Sequence, residues 1–250
     1  MRPLLLAAAL LLAAAAPPPP AARPISRADL PWWSARLAAK AEALRAAPVD
    51  LVWYGDSITQ DWEQAGPEPW RDFAPVWQRF YGDRHALNLG FKGDATSHLL
   101  WRIEHGEADG IAPKAAVILI GANNFGHLHW SASDTLLGID AVVAALHRHL
   151  PRTHLVLLGV LPSIRNPYVD AATATVNAAL PTRYAADPLL TFVDAGSAVA
   201  PSGRPDPAAF LDGHLAPPDP PLHPTAQSQA RIAALIEPAV AQAMGDRIHR

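Results

Sequence analysis

Five short apolar runs, each closed by turn-forming residues, punctuate the chain: Val49 to Tyr54, Ala86 to Leu89, Ala115 to Ile120, His154 to Val160 and Leu189 to Val193. Largely apolar runs of this length, bounded by turn signals, predict buried strands. Between them the spacing changes to that of helices. It is clearest over Leu136 to Leu150, where Leu137, Val142, Val143, Leu146 and Leu150 tend to one face. Helices are also predicted over Ser34 to Ala47, Trp70 to Phe80, Thr96 to His105, Asp170 to Leu180 and Ala226 to Met244. Strands that alternate with helices predict a single α/β domain, a five-stranded, doubly wound parallel sheet covered on both faces. No internal repeat or linker divides it. Ligands of such sheets bind beyond the carboxyl ends of the strands, so the residues after each strand are the ones to inspect for chemistry.

Composition narrows the picture. Half of the 250 residues are hydrophobic, 17% are charged and the formal net charge is -3, which fits neither a disordered chain nor a general nucleic-acid binder. Cysteine is absent. Disulfides, zinc-thiolate sites, iron-sulfur clusters and cysteine nucleophiles are thereby excluded, and covalent catalysis must use oxygen or nitrogen.

The N-terminus reads as an address. Arg2 precedes an apolar run of 13 residues from Leu4 to Ala16, which ends on small residues and is stopped by Pro17 to Pro20. A membrane span needs about 20 apolar residues, so a secretory signal is expected instead. The division expected is a signal peptide over 1–22 and one domain over 23–250, with cleavage after Ala16, Ala21 or Ala22. The mature protein is then expected to be periplasmic or secreted, without stable membrane insertion.

The strand ends carry the candidate chemistry. Gly55-Asp56-Ser57-Ile58-Thr59-Gln60 follows the first strand, Gly90-Phe91-Lys92-Gly93-Asp94 the second and Gly121-Ala122-Asn123-Asn124 the third. Taken singly, Asp56 or Ser57 suits a helix N-cap, Gly93 a turn and Asn123 a turn asparagine. Together they place a hydroxyl, a glycine whose N–H a ligand can approach and an amide donor at one sheet edge, the set that acyl transfer requires. A base is still needed, and His223, in Leu222-His223-Pro224-Thr225 before the last helix, is the best placed. His147 and His149 lie within a predicted helix, His85 opens a strand and His249 is in the tail. The His127 and His129 pair lacks a third metal ligand nearby.

With these motifs in order, the sequence resembles the SGNH or GDSL-type hydrolases. It is most similar to the branch of platelet-activating-factor acetylhydrolase catalytic subunits, through Gly121-Ala122-Asn123-Asn124 and Leu157-Leu158-Gly159-Val160-Leu161-Pro162. The resemblance implies a three-layer α/β/α, flavodoxin-like fold. It also implies Ser57 as nucleophile, His223 as general base, and an oxyanion hole of the Ser57 N–H, the Gly93 N–H and the Asn123 side chain. One departure stands out: the family's aspartate three residues before the histidine is replaced by Pro220. Asp219 is the expected orienting carboxylate, ahead of Asp212 in Asp212-Gly213 or a backbone carbonyl.

The expected reaction is hydrolysis of short-chain carboxylic esters, such as acetyl esters, through an acyl-enzyme on Ser57 and without metal or organic cofactor. A small-molecule, carbohydrate or lipid ester is the expected substrate, with no nucleic-acid partner. Transfer of the acyl group to another alcohol would use the same residues, and a non-catalytic carbohydrate-binding protein is the rival from another class. Trp62, Trp70, Phe91 and Trp130 could stack on sugar rings or pack the core.

Overall fold

The computed structural model describes residues 17–215 and 217–249, so the predicted signal segment up to Ala16 lies outside the described residues. The five expected strands are present as β1 (Leu51–Gly55), β2 (Ala86–Gly90), β3 (Ala115–Leu119), β4 (His154–Leu158) and β5 (Leu190–Val193). All pair in parallel, in the order β2-β1-β3-β4-β5. Leu51 aligns with Ala86 on one side and Ala115 on the other, so the carboxyl ends of the three strands that carry the candidate loops finish level.

The helices are α1 (Pro31–Ala46), α2 (Ser57–Gln60), α3 (Phe73–Tyr81), α4 (Thr96–Arg102), α5 (Ala122–Gly126), α6 (Ala132–His149), α7 (Pro167–Arg183) and α8 (Ala226–Met244). On one side of the sheet α3 packs on α8, which lies over β3, β4 and β5; on the other, α6 packs between α4 and α7. This is the three-layer α/β/α arrangement. Side-chain caps start the long helices where they can close an orphan N–H. Ser131 accepts from Asp134 N for α6, Asn166 from Val169 N for α7 and Thr225 from Ser228 N for α8. The Asn166 cap followed by Pro167 starts α7 three residues before its apolar periodicity does. α4 stops earlier than expected, in a widened turn over Ile103–Glu107 where Gly106 has φ +102°.

The core begins at β1, whose Leu51, Val52, Trp53 and Tyr54 are fully buried. Trp53 packs against Trp62 and Tyr81 with ring centroids 5.5 and 5.2 Å apart. Trp62 therefore belongs to the core, and so does Phe91, which is buried beneath the Arg102 guanidinium 4.1 Å from its ring centroid.

The turn Pro20–Ala22 packs on α6 and α4. Ala21 is fully buried, and its carbonyl accepts from Thr96 Oγ1 at 2.8 Å. Gly138 leaves room for this contact, since a Cβ there would stand 2.6 Å from the Ala21 oxygen. The packed domain thus reaches back across the 22/23 boundary expected from sequence.

Candidate active site

Ser57 is the first residue of α2, separated from β1 by Asp56 alone. Asp56 caps this short helix by accepting from Ile58 N at 2.9 Å, which turns the chain sharply and aims Ser57 off the sheet edge. The turn fits because β2 ends in Gly90: a Cβ there would stand 2.3 Å from Gln60 N. Asn88 secures it further, donating to Thr59 O at 2.6 Å and accepting from Gly90 N at 2.8 Å.

His223 Nε2 lies 2.9 Å from Ser57 Oγ, and His223 Nδ1 lies 2.6 Å from Asp212 Oδ1. The other Asp212 oxygen accepts from the N–H groups of Leu222 at 2.8 Å and His223 at 2.5 Å. Burial pushes the Asp212 pKa up, but these bonds and the His223 charge outweigh it and hold the carboxyl below its ordinary range. For His223 burial pulls downward, and the bond to Asp212 and the charges of Asp212, Asp61 and Asp56 outweigh it, raising the pKa above the ordinary histidine value. Asp56 itself is buried, which pushes its pKa to about 7 against the pull of the Ile58 N–H and the His223 charge.

The expectation that Asp219 orients His223 is corrected: the carboxylate in that position is Asp212. Leu211 N donates to His223 O and Thr225 N to Ala209 O, each at 2.9 Å, and Phe210 bridges Pro224 in antiparallel fashion. This ladder brings residues 209–212 beside 222–225, and the chain between them loops outward. Pro220 and Pro221 fix two φ angles and keep the loop from folding back, so the Asp219 carboxylate stays at the exposed rim while its N–H donates to Asp212 O at 3.1 Å.

The other two strand ends converge on the same place. Gly93 has φ +73° and shares a cavity of about 330 Å³ with Ser57 and His223. Asn123 follows Gly121, whose φ of +126° turns the chain off β3 into α5. The Asn123 amide is buried and donates to Asp94 O at 2.9 Å, which ties the third loop to the second. A hydroxyl against an imidazole that is held by a carboxylate, with an amide and a close-approach glycine alongside, is the equipment for attack on a carbonyl.

A family model described as the GDSL-like lipase/acylhydrolase family matches residues 53–231, more than half of the chain, from within β1 to past His223. The chain belongs to that family. The alpha1 subunit of platelet-activating factor acetylhydrolase IB from Bos taurus is 34% identical over 147 residues, 58% of each chain, so this chain matches little more than half the length of that relative. A GDSL-like lipase from Bacteroides thetaiotaomicron shares the fold with a TM-score of 0.65 at 20% identity, covering 84% of this chain and 97% of the other. A carbohydrate acetylesterase family member from Sinorhizobium meliloti superposes with a TM-score of 0.57 at 18% identity, over 78% and 98% of the two chains.

Behind the GDSL-type loops lies a buried ionic cluster that sequence reading missed. Asp94, fully buried, accepts from Arg27 Nη1 at 2.9 Å, Trp33 Nε1 at 3.0 Å and Arg102 Nε at 2.9 Å. Arg102, also fully buried, donates onward to Leu89 O and Gly55 O at 3.2 Å and pairs with Glu107. Burial pushes the Glu107 pKa to about 7 despite that cation. The cluster ties the ends of β1 and β2 to the Gly93 loop. Asp94 is visible beside Gly93 in sequence, but its partners come from 67 and 61 residues before and 8 after, and no spacing rule joins them. His127, exposed in the turn after α5, stands at the cavity wall together with Trp70, Lys92 and Asp61.

Proposed function

We propose that this protein is an exported serine esterase that removes short acyl groups, acetyl above all, through an acyl-enzyme on Ser57. The observation that carries the reading is the unbroken relay from Ser57 Oγ to His223 Nε2 at 2.9 Å and from His223 Nδ1 to Asp212 Oδ1 at 2.6 Å. His223 takes the serine proton as Oγ adds to the ester carbonyl, and Asp212 stabilises the imidazolium. The negative oxygen then faces the N–H groups of Ser57 and Gly93 and the Asn123 amide. Collapse expels the alcohol, which receives the proton from His223. Water, deprotonated by the same imidazole, releases the acid and restores the serine.

The short acyl preference is in line with the acetyl specificity in the names of the acetylhydrolase relative and the acetylesterase neighbour. Export rests on the N-terminal apolar run alone. No helix among the described residues is long and apolar enough to cross a membrane. The test is hydrolysis of nitrophenyl esters from acetate to octanoate by the purified protein and by Ser57→Ala. Turnover that is fastest on acetate and lost in the variant is expected; turnover that persists in Ser57→Ala would remove the serine from the mechanism.

A further inference from the structure

The loop after β2 carries the Gly93 N–H, and its polar groups can be followed one by one. Lys92 N donates to Gln60 Oε1 at 2.9 Å, Asp94 N donates to Phe91 O at 3.1 Å, and Asp94 O accepts from the Asn123 amide at 2.9 Å. The Gly93 N–H has no partner among the described residues, which leaves it to a ligand in the cavity it shares with Ser57. The remaining group, the Lys92 carbonyl, is held from far away in sequence: Arg27 Nη1 donates to it at 2.8 Å. The same nitrogen donates to Asp94 Oδ1 at 2.9 Å, so one guanidinium bridges the residues on either side of Gly93. It lies against the glycine itself, since a Cβ at Gly93 would stand 3.1 Å from both Nη1 and Nη2.

Arg27 is itself fixed. Ile25 N donates to Ser97 O at 3.1 Å, at the start of α4, and Leu30 N to Arg27 O at 2.9 Å, in the turn that leads into α1. The guanidinium carbon stands 5.4 Å from the centroid of the Trp32 ring, and the Arg27 side chain is 21% exposed. Residue 27 precedes the span 53–231 that the family model matches, so this contact is made by a segment outside that span.

A peptide unit is planar and trans, with its C=O and N–H pointing in opposite directions. The bond that pins Lys92 O therefore also sets the direction of the Gly93 N–H. Donation from a cation to that oxygen further polarises the peptide and strengthens its N–H as a donor. Glycine alone would not hold the unit still, because turning the 92–93 peptide changes φ of Gly93, and glycine accepts either sign.

We propose that Arg27 is a positioning residue of the oxyanion hole. Through Lys92 O it aims the Gly93 N–H, and through Asp94 it steadies the carbonyl that holds the Asn123 amide, so that both donors face the negative oxygen as it forms. This inference rests on the esterase reading and adds to it a residue that touches neither substrate nor Ser57.

The test is hydrolysis of nitrophenyl acetate by Arg27→Met, which keeps the length of the side chain and removes its donors. The fold should persist, because Asp94 retains Trp33 and Arg102, and a urea titration checks this. The kcat should fall at least about tenfold with KM within about threefold, since the interaction lost belongs to the transition state. A trifluoromethyl ketone, whose adduct with the serine carries a negative oxygen, should bind more weakly by a similar factor. Arg27→Lys, which keeps a cation and a donor, should recover part of both losses. A smaller fall in kcat, a loss confined to KM, or ketone binding that stays at the parent value overturns the proposal. If Arg27→Met does not fold, Arg27→Gln is read by the same criteria. Absence of Ser57-dependent hydrolysis in the parent protein would instead overturn the esterase reading on which the proposal stands.

Discussion

Replacing Asp212 by asparagine removes one charge and one acceptor from the point where three hydrogen bonds converge. In the parent protein Oδ1 takes the His223 Nδ1 hydrogen at 2.6 Å, while Oδ2 takes the N–H groups of Leu222 and His223 at 2.8 and 2.5 Å. Asparagine has a single oxygen. If that oxygen keeps the imidazole, its amide hydrogens face two backbone N–H groups and both buried donors lose their acceptor. If it keeps the backbone, the amide donates to Nδ1, and the imidazole must carry its proton on Nε2, where it cannot accept from Ser57. The second arrangement sacrifices fewer bonds, so the wrong tautomer dominates and the imidazolium formed during attack loses its counter-charge. Turnover should fall about 10³ to 10⁴-fold, as for the equivalent change in a serine protease triad. Loss of a charge-assisted bond should lower stability by about 1 to 3 kcal/mol. The assay is kcat for nitrophenyl acetate near pH 8, with a urea titration for stability, beside Asp219→Asn as control. Because Asp219 stands at the rim, its variant should stay within about threefold, the range of surface changes without a partner to lose. An Asp212→Asn enzyme that keeps a tenth of its turnover, or a greater loss in Asp219→Asn, would refute the reasoning.

Asn123→Ala should cost about 100-fold or more in kcat by removing an oxyanion donor, and a loss under threefold would reduce Asn123 to a tie between two loops. His223 must be neutral to act as base and its pKa is raised, so kcat/KM should climb through a pH above about 6.5, the ordinary histidine value. The stability from its pairing runs the other way, complete below that pH and lost as pH rises through the raised value; a pH-rate midpoint below 6 would contradict both. Arg102→Leu leaves buried Glu107 without its cation and Asp94 with Arg27 and Trp33 alone, and urea titration should show a loss of about 3 to 5 kcal/mol, with less than 1 arguing against the cluster's role. Because Ala21 is buried against α6 and Thr96, any N-terminal processing should leave a chain that begins no later than Pro20, which mass spectrometry of the recovered protein would disprove by finding Arg23 at the N-terminus.

The strands, the helices of the two outer layers and the placing of Ser57, Gly93 and Asn123 in loops after strands and of His223 before the last helix were open to inspection in the sequence because each rests on local information. A doubly buried strand is largely apolar, a helix repeats its apolar face every three to four residues, and ligands of such a sheet gather at the strand ends. The short helices α2 and α5 are too brief for any periodicity to reveal and exist because Asp56 caps one and Gly121 opens the other. The choice between Asp219 and Asp212 as partner of His223 was misjudged for a different reason. Distance along the chain favoured Asp219, but an antiparallel ladder between 209–211 and 223–225 decides which carboxylate meets His223, and it joins residues 11 apart while the intervening prolines hold the nearer aspartate away. The same holds for Asp94 with Arg27, Trp33 and Arg102. Hydrophobic pattern records which residues must leave water; the pairing of buried charges depends on directions and distances that exist only after the layers have packed.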